Sequence, residues 1–286
     1  MKTAVGFFDG VHVGHQAILR GADAALTFRN HPLSVLRPES APALLMSFEE
    51  RAAAIRACGV SEVVALDFTR ELAGLSPREF VERVWRGRAP TVRCGANWRF
   101  GRGGSGTPDL LRAMGVDVEV VPYAEYGGAP VSSTRVRQAL AAGRMEDAAA
   151  MLGRAWEVRG VVRSGKGLGR GLGFPTVNVV PAAGGVRLPL GVYAVEVGGL
   201  PGAANYGVAP TMGERSWGEP VAEVHFLDGA PGLRPGDEAA VRFLRFVREE
   251  RRFADADELR GQIARDVEEC RKAWRSTCPG AGRGCR

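Results

Sequence analysis

Near Arg154 the patterning of the chain changes, and that break constrains the fold more than any other feature. Before it, short apolar runs at 3–8, 25–28, 62–66, 91–94 and 116–121 alternate with helical stretches at 14–21, 47–58, 76–86, 107–114, 133–142 and 145–152. Such alternation makes a parallel sheet flanked by helices. After it come strand-like segments at 156–163, 177–180, 191–197, 222–227 and 238–246, separated by Gly/Pro turns. That second pattern predicts an antiparallel barrel or sandwich. One closing helix is expected over 255–274, with Leu259, Ile263, Val267, Cys270 and Trp274 as its apolar stripe. A length of 286 residues also favours two cores over one. The expected domains are therefore 1–154 and 155–275, followed by a disordered basic tail, 276–286.

Local signals support this division. Ser47 and Glu50 form a capping-box pair, and Pro77 suits the first turn of the next helix. The net charge of +6 divides evenly between the two parts, but Cys270–Arg286 holds five basic residues and no acidic one. The excess therefore reads as a solvated tail, and neither nucleic acid nor a membrane is an expected partner. No apolar run is long enough to span a bilayer and no leader-like segment opens the chain, so a cytoplasmic location is expected. The five cysteines form no C-x-x-C pair, which reads as reduced packing thiols rather than a disulfide framework or zinc site. Self-association is left open.

Two clusters carry chemistry. The first, Gly6-Phe-Phe-Asp-Gly-Val-His-Val-Gly-His15, joins a buried strand to a helix, where α/β sheets bind nucleotides. Gly10 and Gly14 allow close backbone approach, and His12 and His15, three apart, share a face from which imidazoles can meet phosphate oxygens. Either histidine alone would read as a capped surface residue. Further on, Val131-Ser-Ser-Thr-Arg-Val-Arg137 opens a helix whose hydroxyls and amides suit phosphate, with Arg137 to neutralise a leaving pyrophosphate; alone, it reads as a helix cap. Between them, Gly95-Ala-Asn-Trp-Arg-Phe-Gly101 offers an amide and an aromatic ring suited to stacking and orienting a ligand ring.

In the second cluster Gly160-Val-Val-Arg-Ser-Gly-Lys166 nearly spells a P-loop but is followed by Gly167 and strands, so that reading is rejected. Gly165, Gly167 and Gly169 suggest either a phosphate-covering flap or a plain hairpin. Thr176 and Asn178 lie two apart on an extended segment, so both oxygens can face a Mg²⁺ ion. Glu223, a lone acid in an apolar strand, reads either as a general base or as a solvent-facing residue.

In order, F-F-D-G-V-H-V-G-H, T-F-R-N-H-P, G-A-N-W-R-F-G and V-S-S-T-R-V-R resemble the FMN adenylyltransferase module of bacterial bifunctional riboflavin kinase/FAD synthetases. G-R-G-L-G-F-P-T-V-N, G-V-Y-A-V, N-Y-G-V-A-P-T, E-V-H-F-L-D and R-F-V-R-E-E-R-R-F resemble their riboflavin kinase module. The resemblance implies a Rossmann-like α/β nucleotidyltransferase domain of the HxGH type, then a six-stranded antiparallel β-barrel with a C-terminal helix. It implies that riboflavin is phosphorylated to FMN and FMN adenylylated to FAD, with ATP as co-substrate and Mg²⁺ as cofactor. For adenylyl transfer the implied ATP-site residues are Gly6, Phe8, Asp9, His12, Gly14, His15, Asn97, Ser133, Thr134 and Arg137. For the kinase they are Gly165, Gly167 and Gly169 over ATP, Thr176 and Asn178 on Mg-ATP, and Glu223 as catalytic base.

Two departures stand out. Only eleven residues separate His15 from Thr27, so the helix behind the histidines is expected to be short and to lose packing, and Arg29 stands where the family more usually has an acid. The rival readings are a riboflavin kinase whose shortened first half no longer adenylylates, and a regulator that binds nucleic acid through the tail.

Overall fold

In the first part of the chain, five short apolar runs become parallel strands: β1 (Lys2–Val5), β2 (Ala24–Phe28), β3 (Glu62–Leu66), β4 (Thr91–Gly95) and β5 (Val118–Val121). Their order is β3-β2-β1-β4-β5. The chain therefore leaves β1 on one side and returns on the other, and the loops after β1 and β4 lie next to each other at the carboxyl edge, where such sheets bind ligands. The computed structural model describes residues 1–85, 91–164, 174–181, 184–208, 220–229 and 232–277.

The intervening helices are α1 (Val13–Leu19), α2 (Pro32–Leu36), α3 (Phe48–Ala57), α4 (Arg70–Gly74), α5 (Pro77–Trp85) and α6 (Pro108–Ala113). The capping box of α3 forms as expected: the Glu50 amide donates to Ser47 Oγ at 3.1 Å and the Ser47 amide to Glu50 Oε2 at 2.7 Å. Ser76 and Glu79 make a second box around Pro77 that sequence reading missed. Also missed were α2, α4 and the two-residue hairpin of β6 (Glu125–Tyr126) and β7 (Ala129–Pro130), all too short to show a period. β1 ends at Val5 rather than Phe8, because Phe8 and Val11 turn into positive φ (59° and 39°).

Two compact units make up the chain, Met1–Ser133 and Thr134–Arg286. The second opens within α7 (Ser133–Ala141) and continues with α8 (Met145–Leu152), where α8 packs on the barrel and Glu146 pairs with Arg245 Nε at 2.6 Å. The barrel strands are β8 (Trp156–Arg163), β9 (Thr176–Pro181), β10 (Gly191–Val197), β11 (Leu200–Gly207), β12 (Val221–Phe226) and β13 (Glu238–Glu249). They close antiparallel in the order β10-β11-β12-β9-β8-β13. Sequence patterning located five of the six. It missed β11, Leu-Pro-Gly-Ala-Ala-Asn-Tyr-Gly, whose small residues carry no strand signal. Their smallness is a packing requirement: a Cβ on Gly202 would lie 2.8 Å from Val224 Cγ1.

β10 is buried on both faces, which explains its unbroken apolar run. Tyr193 and Val195 face the barrel interior, where Tyr193 meets Phe243 edge-on with ring centroids 5.2 Å apart. Val192 and Ala194 lie on the opposite face beneath α9 (Ala256–Thr277), against Cys270, Ala273 and Trp274. Leu259, Ile263 and Val267 of the expected stripe are only half-buried. α9 begins where Asp255 Oδ1 accepts the Glu258 amide at 2.8 Å, and it extends through Ser276 and Thr277, which sequence reading assigned to the tail. Residues 278–286, with Cys278 and Cys285, lie outside the described residues.

Candidate active sites

The loop leaving β1 is built around two histidines. His12 caps α1, its Nδ1 accepting the His15 amide at 3.3 Å. A neutral His12 therefore carries its proton on Nε2 and presents a donor there. The His15 ring stacks on the His12 ring at 3.6 Å and meets the edge of Phe8 at 5.3 Å. Gly14 makes room for this, since a Cβ there would come within 3.2 Å of His12 Nδ1 and Cε1. Gly6 does the same for the Phe8 ring, 2.9 Å from where its Cβ would lie.

Several predicted site residues brace this loop. Phe8 is fully buried in the core and supports His15. The Asp9 carboxylate is buried and accepts the Leu45 amide at 3.1 Å, while its carbonyl accepts Ser133 Oγ at 2.8 Å. The Thr27 hydroxyl donates to the Phe7 carbonyl at 3.1 Å. Arg51 was missed by sequence reading. It is wholly buried on α3, with its Nη2 donating to the carbonyls of Phe28 and Arg29 and its guanidinium 4.0 Å over the Phe7 ring. Nothing in the local sequence marks it, because the carbonyls it donates to lie more than twenty residues away. Arg29 pairs with Asp67 at 3.8 Å and lies over Phe48 at 4.8 Å.

Asn97 is exposed in the loop after β4, the strand beside β1. Its neighbour Trp98 stacks on Phe100 with ring centroids 4.8 Å apart and packs on the core. Thr134 is exposed and Arg137 half-buried on α7, both in the second compact unit.

Burial pushes His12 down to about 4 from 6.5, with its backbone hydrogen bond acting in the other direction. Burial, then the neighbouring His12 and Arg51, hold His15 well below its ordinary value. The unfolded chain takes up the His12 proton near 6.5 and the folded chain only near 4. Stability is therefore level above pH 6.5 and falls as the pH drops towards 4, with His12 contributing a loss of up to about 3 kcal/mol. Urea unfolding of the first unit across that window checks this, and a flat profile would mean that the ring is solvated in the folded protein.

On the barrel, register brings four chain-distant residues into one row. Arg163 on β8 lies opposite Asn178 on β9, Asn178 opposite Glu223 on β12, and Glu223 opposite Asn205 on β11. His225 is likewise opposite Thr176. Cross-strand partners share a face, so this polar row lies on the side opposite the buried Val179 and Val224. Asn178 is buried, while Thr176 and Glu223 are exposed. Asn205 Nδ2 donates to Glu250 Oε1 at 3.2 Å. Partial desolvation, then the charge of Glu250, raises the Glu223 carboxyl above its ordinary value. The segment before Thr176 is tied down through the Pro175 carbonyl, 3.0 Å from His225 Nδ1, and through Phe174, which meets the His225 ring edge-on. The predicted flap residues Gly165, Gly167 and Gly169 lie outside the described residues. Sequence reading did not foresee Asn205, Glu250 or Arg163, since strand register brings Arg163 and Asn205 into the row and Glu250 joins it only through Asn205.

Among the described residues no helix is long and apolar enough to cross a membrane, and no group of three or more His, Cys, Asp or Glu side chains could hold a metal ion.

Comparison with known proteins agrees with both halves. The FAD synthetase family model matches residues 1–135 and the riboflavin kinase family model residues 152–274. A bifunctional riboflavin kinase/FMN adenylyltransferase of Escherichia coli K12 is 37% identical over 96% of this chain and 93% of its own length. One from Pseudomonas fluorescens is 38% identical, covering 93% and 90%. A crystal structure from Streptococcus pneumoniae, described as a macrolide-efflux protein, superposes with a TM-score of 0.84 at 29% identity, covering 94% of this chain and 93% of that one. With an α/β sheet carrying a histidine loop, a closed six-stranded barrel with a polar row, and relatives matched along nearly its whole length, the chain belongs to the bifunctional riboflavin kinase/FMN adenylyltransferase family.

Proposed function

We propose that this chain makes FAD from riboflavin in two ATP-dependent steps, with residues 155–275 acting as the kinase and residues 1–154 as the adenylyltransferase. The observation that carries the reading is that family models for the two chemistries match consecutive parts of one chain. Flavins and ATP are the substrates, and the cytoplasm is the expected place of work.

In the kinase step Glu223 takes the proton of the riboflavin 5′-hydroxyl as that oxygen bonds to the γ-phosphorus of ATP. The bond from the γ-phosphorus to the β-bridging oxygen breaks and ADP leaves. The raised Glu223 carboxyl is a stronger base than an ordinary one, which suits this role. Thr176 and Asn178 offer hydroxyl and amide oxygens, hard donors that suit a Mg²⁺ ion completed by water and phosphate oxygens. When bound, Mg²⁺ neutralises charge on the ATP phosphates. Gly165, Gly167 and Gly169 keep the ATP-covering role that the family resemblance implies.

In the second step a phosphate oxygen of FMN attacks the α-phosphorus of ATP and pyrophosphate leaves. The neutral histidines act as hydrogen-bond donors to phosphate oxygens as charge develops there, with Nε2–H the donor of His12. Gly6, Phe8, Asp9 and Gly14 hold the histidine loop in shape, and Asn97, in the loop after the strand beside β1, keeps the adenylyltransferase-site role that the family resemblance implies. Ser133, Thr134 and Arg137 keep the phosphate-binding roles of their motif.

The reading as a lone riboflavin kinase is not favoured, because the FAD synthetase model matches the first half and the relatives carry both names. Incubation with riboflavin, ATP and Mg²⁺, followed by chromatography of the flavins, is expected to yield FMN and then FAD. Accumulation of FMN alone, with no FAD from added FMN, would restore the lone-kinase reading.

A further inference from the structure

The histidines stand at the start of α1, which is only seven residues long and carries no basic residue in its last turn. A helix ends with four carbonyls that lack partners within it. Here each has one. Gln16 O accepts the Arg20 amide at 2.9 Å, and Leu19 O accepts the Ala22 amide at 3.0 Å. The two between them are taken by one side chain from β4: Arg93 Nε donates to Ile18 O at 3.1 Å and Nη2 to Ala17 O at 3.3 Å. The remaining arm, Nη1, donates to Glu119 Oε1 on β5 at 2.8 Å, and Glu119 also pairs with Lys2 of β1 at 3.4 Å. The Arg93 side chain is only 12% exposed, so water screens these bonds little. A guanidinium at a helix carboxyl end also complements the helix dipole.

We propose that Arg93 is a positioning residue for adenylyl transfer, its forked guanidinium standing in for the helical turn that α1 lacks and so holding His12 and His15 in place. The inference rests on the reading that the first unit adenylylates FMN. Sequence reading expected the short helix to lose packing behind the histidines. Arg93 answers that loss from the neighbouring strand, because a seven-residue helix spans only about 10 Å and passes displacement at one end to the other.

The full chain is tested as wild type, Arg93→Met and Arg93→Lys. FAD formation from FMN and ATP is measured beside riboflavin phosphorylation in the same preparations. Arg93→Met is expected to lower kcat for FAD formation about tenfold or more, with a smaller change in KM, since the histidines act on charge that develops during transfer. Riboflavin phosphorylation is expected to stay within about twofold, and Arg93→Lys, keeping the charge but losing the fork, to fall between. The NMR titration of His12 should move in Arg93→Met from about 4 towards 6.5, a change that loss of stability alone would not cause in folded protein. Wild-type kcat for FAD formation in Arg93→Met overturns the proposal, whatever the melting temperature does. Should that variant fail to fold, wild-type kcat in Arg93→Lys overturns it instead. If the wild type itself makes no FAD, the functional reading fails separately, and an unmoved His12 titration in Arg93→Met overturns the brace.

Discussion

Replacing Glu223 by Gln is expected to cut riboflavin phosphorylation by roughly two to four orders of magnitude, the usual contribution of a general base. Gln keeps the volume and one acceptor oxygen of the side chain but cannot take a proton. The row around it, Asn178 on one side and Asn205 on the other, needs no rearrangement to receive an amide. ATP affinity should change little, because Thr176 and Asn178 remain. FAD formation from supplied FMN should be untouched, since the histidine loop belongs to the other compact unit. Initial rates of FMN formation from riboflavin, and of FAD formation from FMN, measure both effects in one preparation. A Glu223→Gln protein that phosphorylates riboflavin at the wild-type rate would remove this carboxylate from the mechanism.

The largest stability effect is expected at Asp266, a buried acid on the inner face of α9. Its carboxylate receives Arg248 Nε at 3.0 Å and Nη2 at 2.6 Å, together with Gln262 Nε2 at 2.7 Å. Asp266→Ala strands the Arg248 cation, and the cost of breaking such a pair from one side is about 3–5 kcal/mol. The lower end applies here, because Arg248 keeps about a fifth of its side chain in water. The double change Arg248→Met with Asp266→Leu should recover most of that loss, since neither buried charge then remains. Urea unfolding of the second unit decides the matter. An Asp266→Ala variant as stable as wild type would mean that the pair contributes nothing to holding α9 on the barrel.

Local chemistry was legible in the residues themselves. The Ser47–Glu50 box and the H-x-G-H loop each depend on neighbours within a few positions, and each occurs where the spacing predicted it. The strand runs of the first half and five of the six barrel strands were legible for the same reason, since apolar burial imposes a period on the chain. β11 was not, because a strand of Pro, Gly and Ala shows no such period, and its small side chains make sense only beside Val195 and Val224.

By itself, then, the order of residues determined the break between an α/β half and a β half, the capped helix ends, and the residue types that carry chemistry. Those depend on short-range sterics, hydrogen bonding and periodic burial, which act between near neighbours. Only the tertiary structure decided that Arg93 closes α1, that Arg51 lies over Phe7, and that Arg163, Asn178, Glu223 and Asn205 form one row. Such pairings join residues tens of positions apart through strand order and register, which depend on how the whole set of strands and helices buries its apolar faces at once.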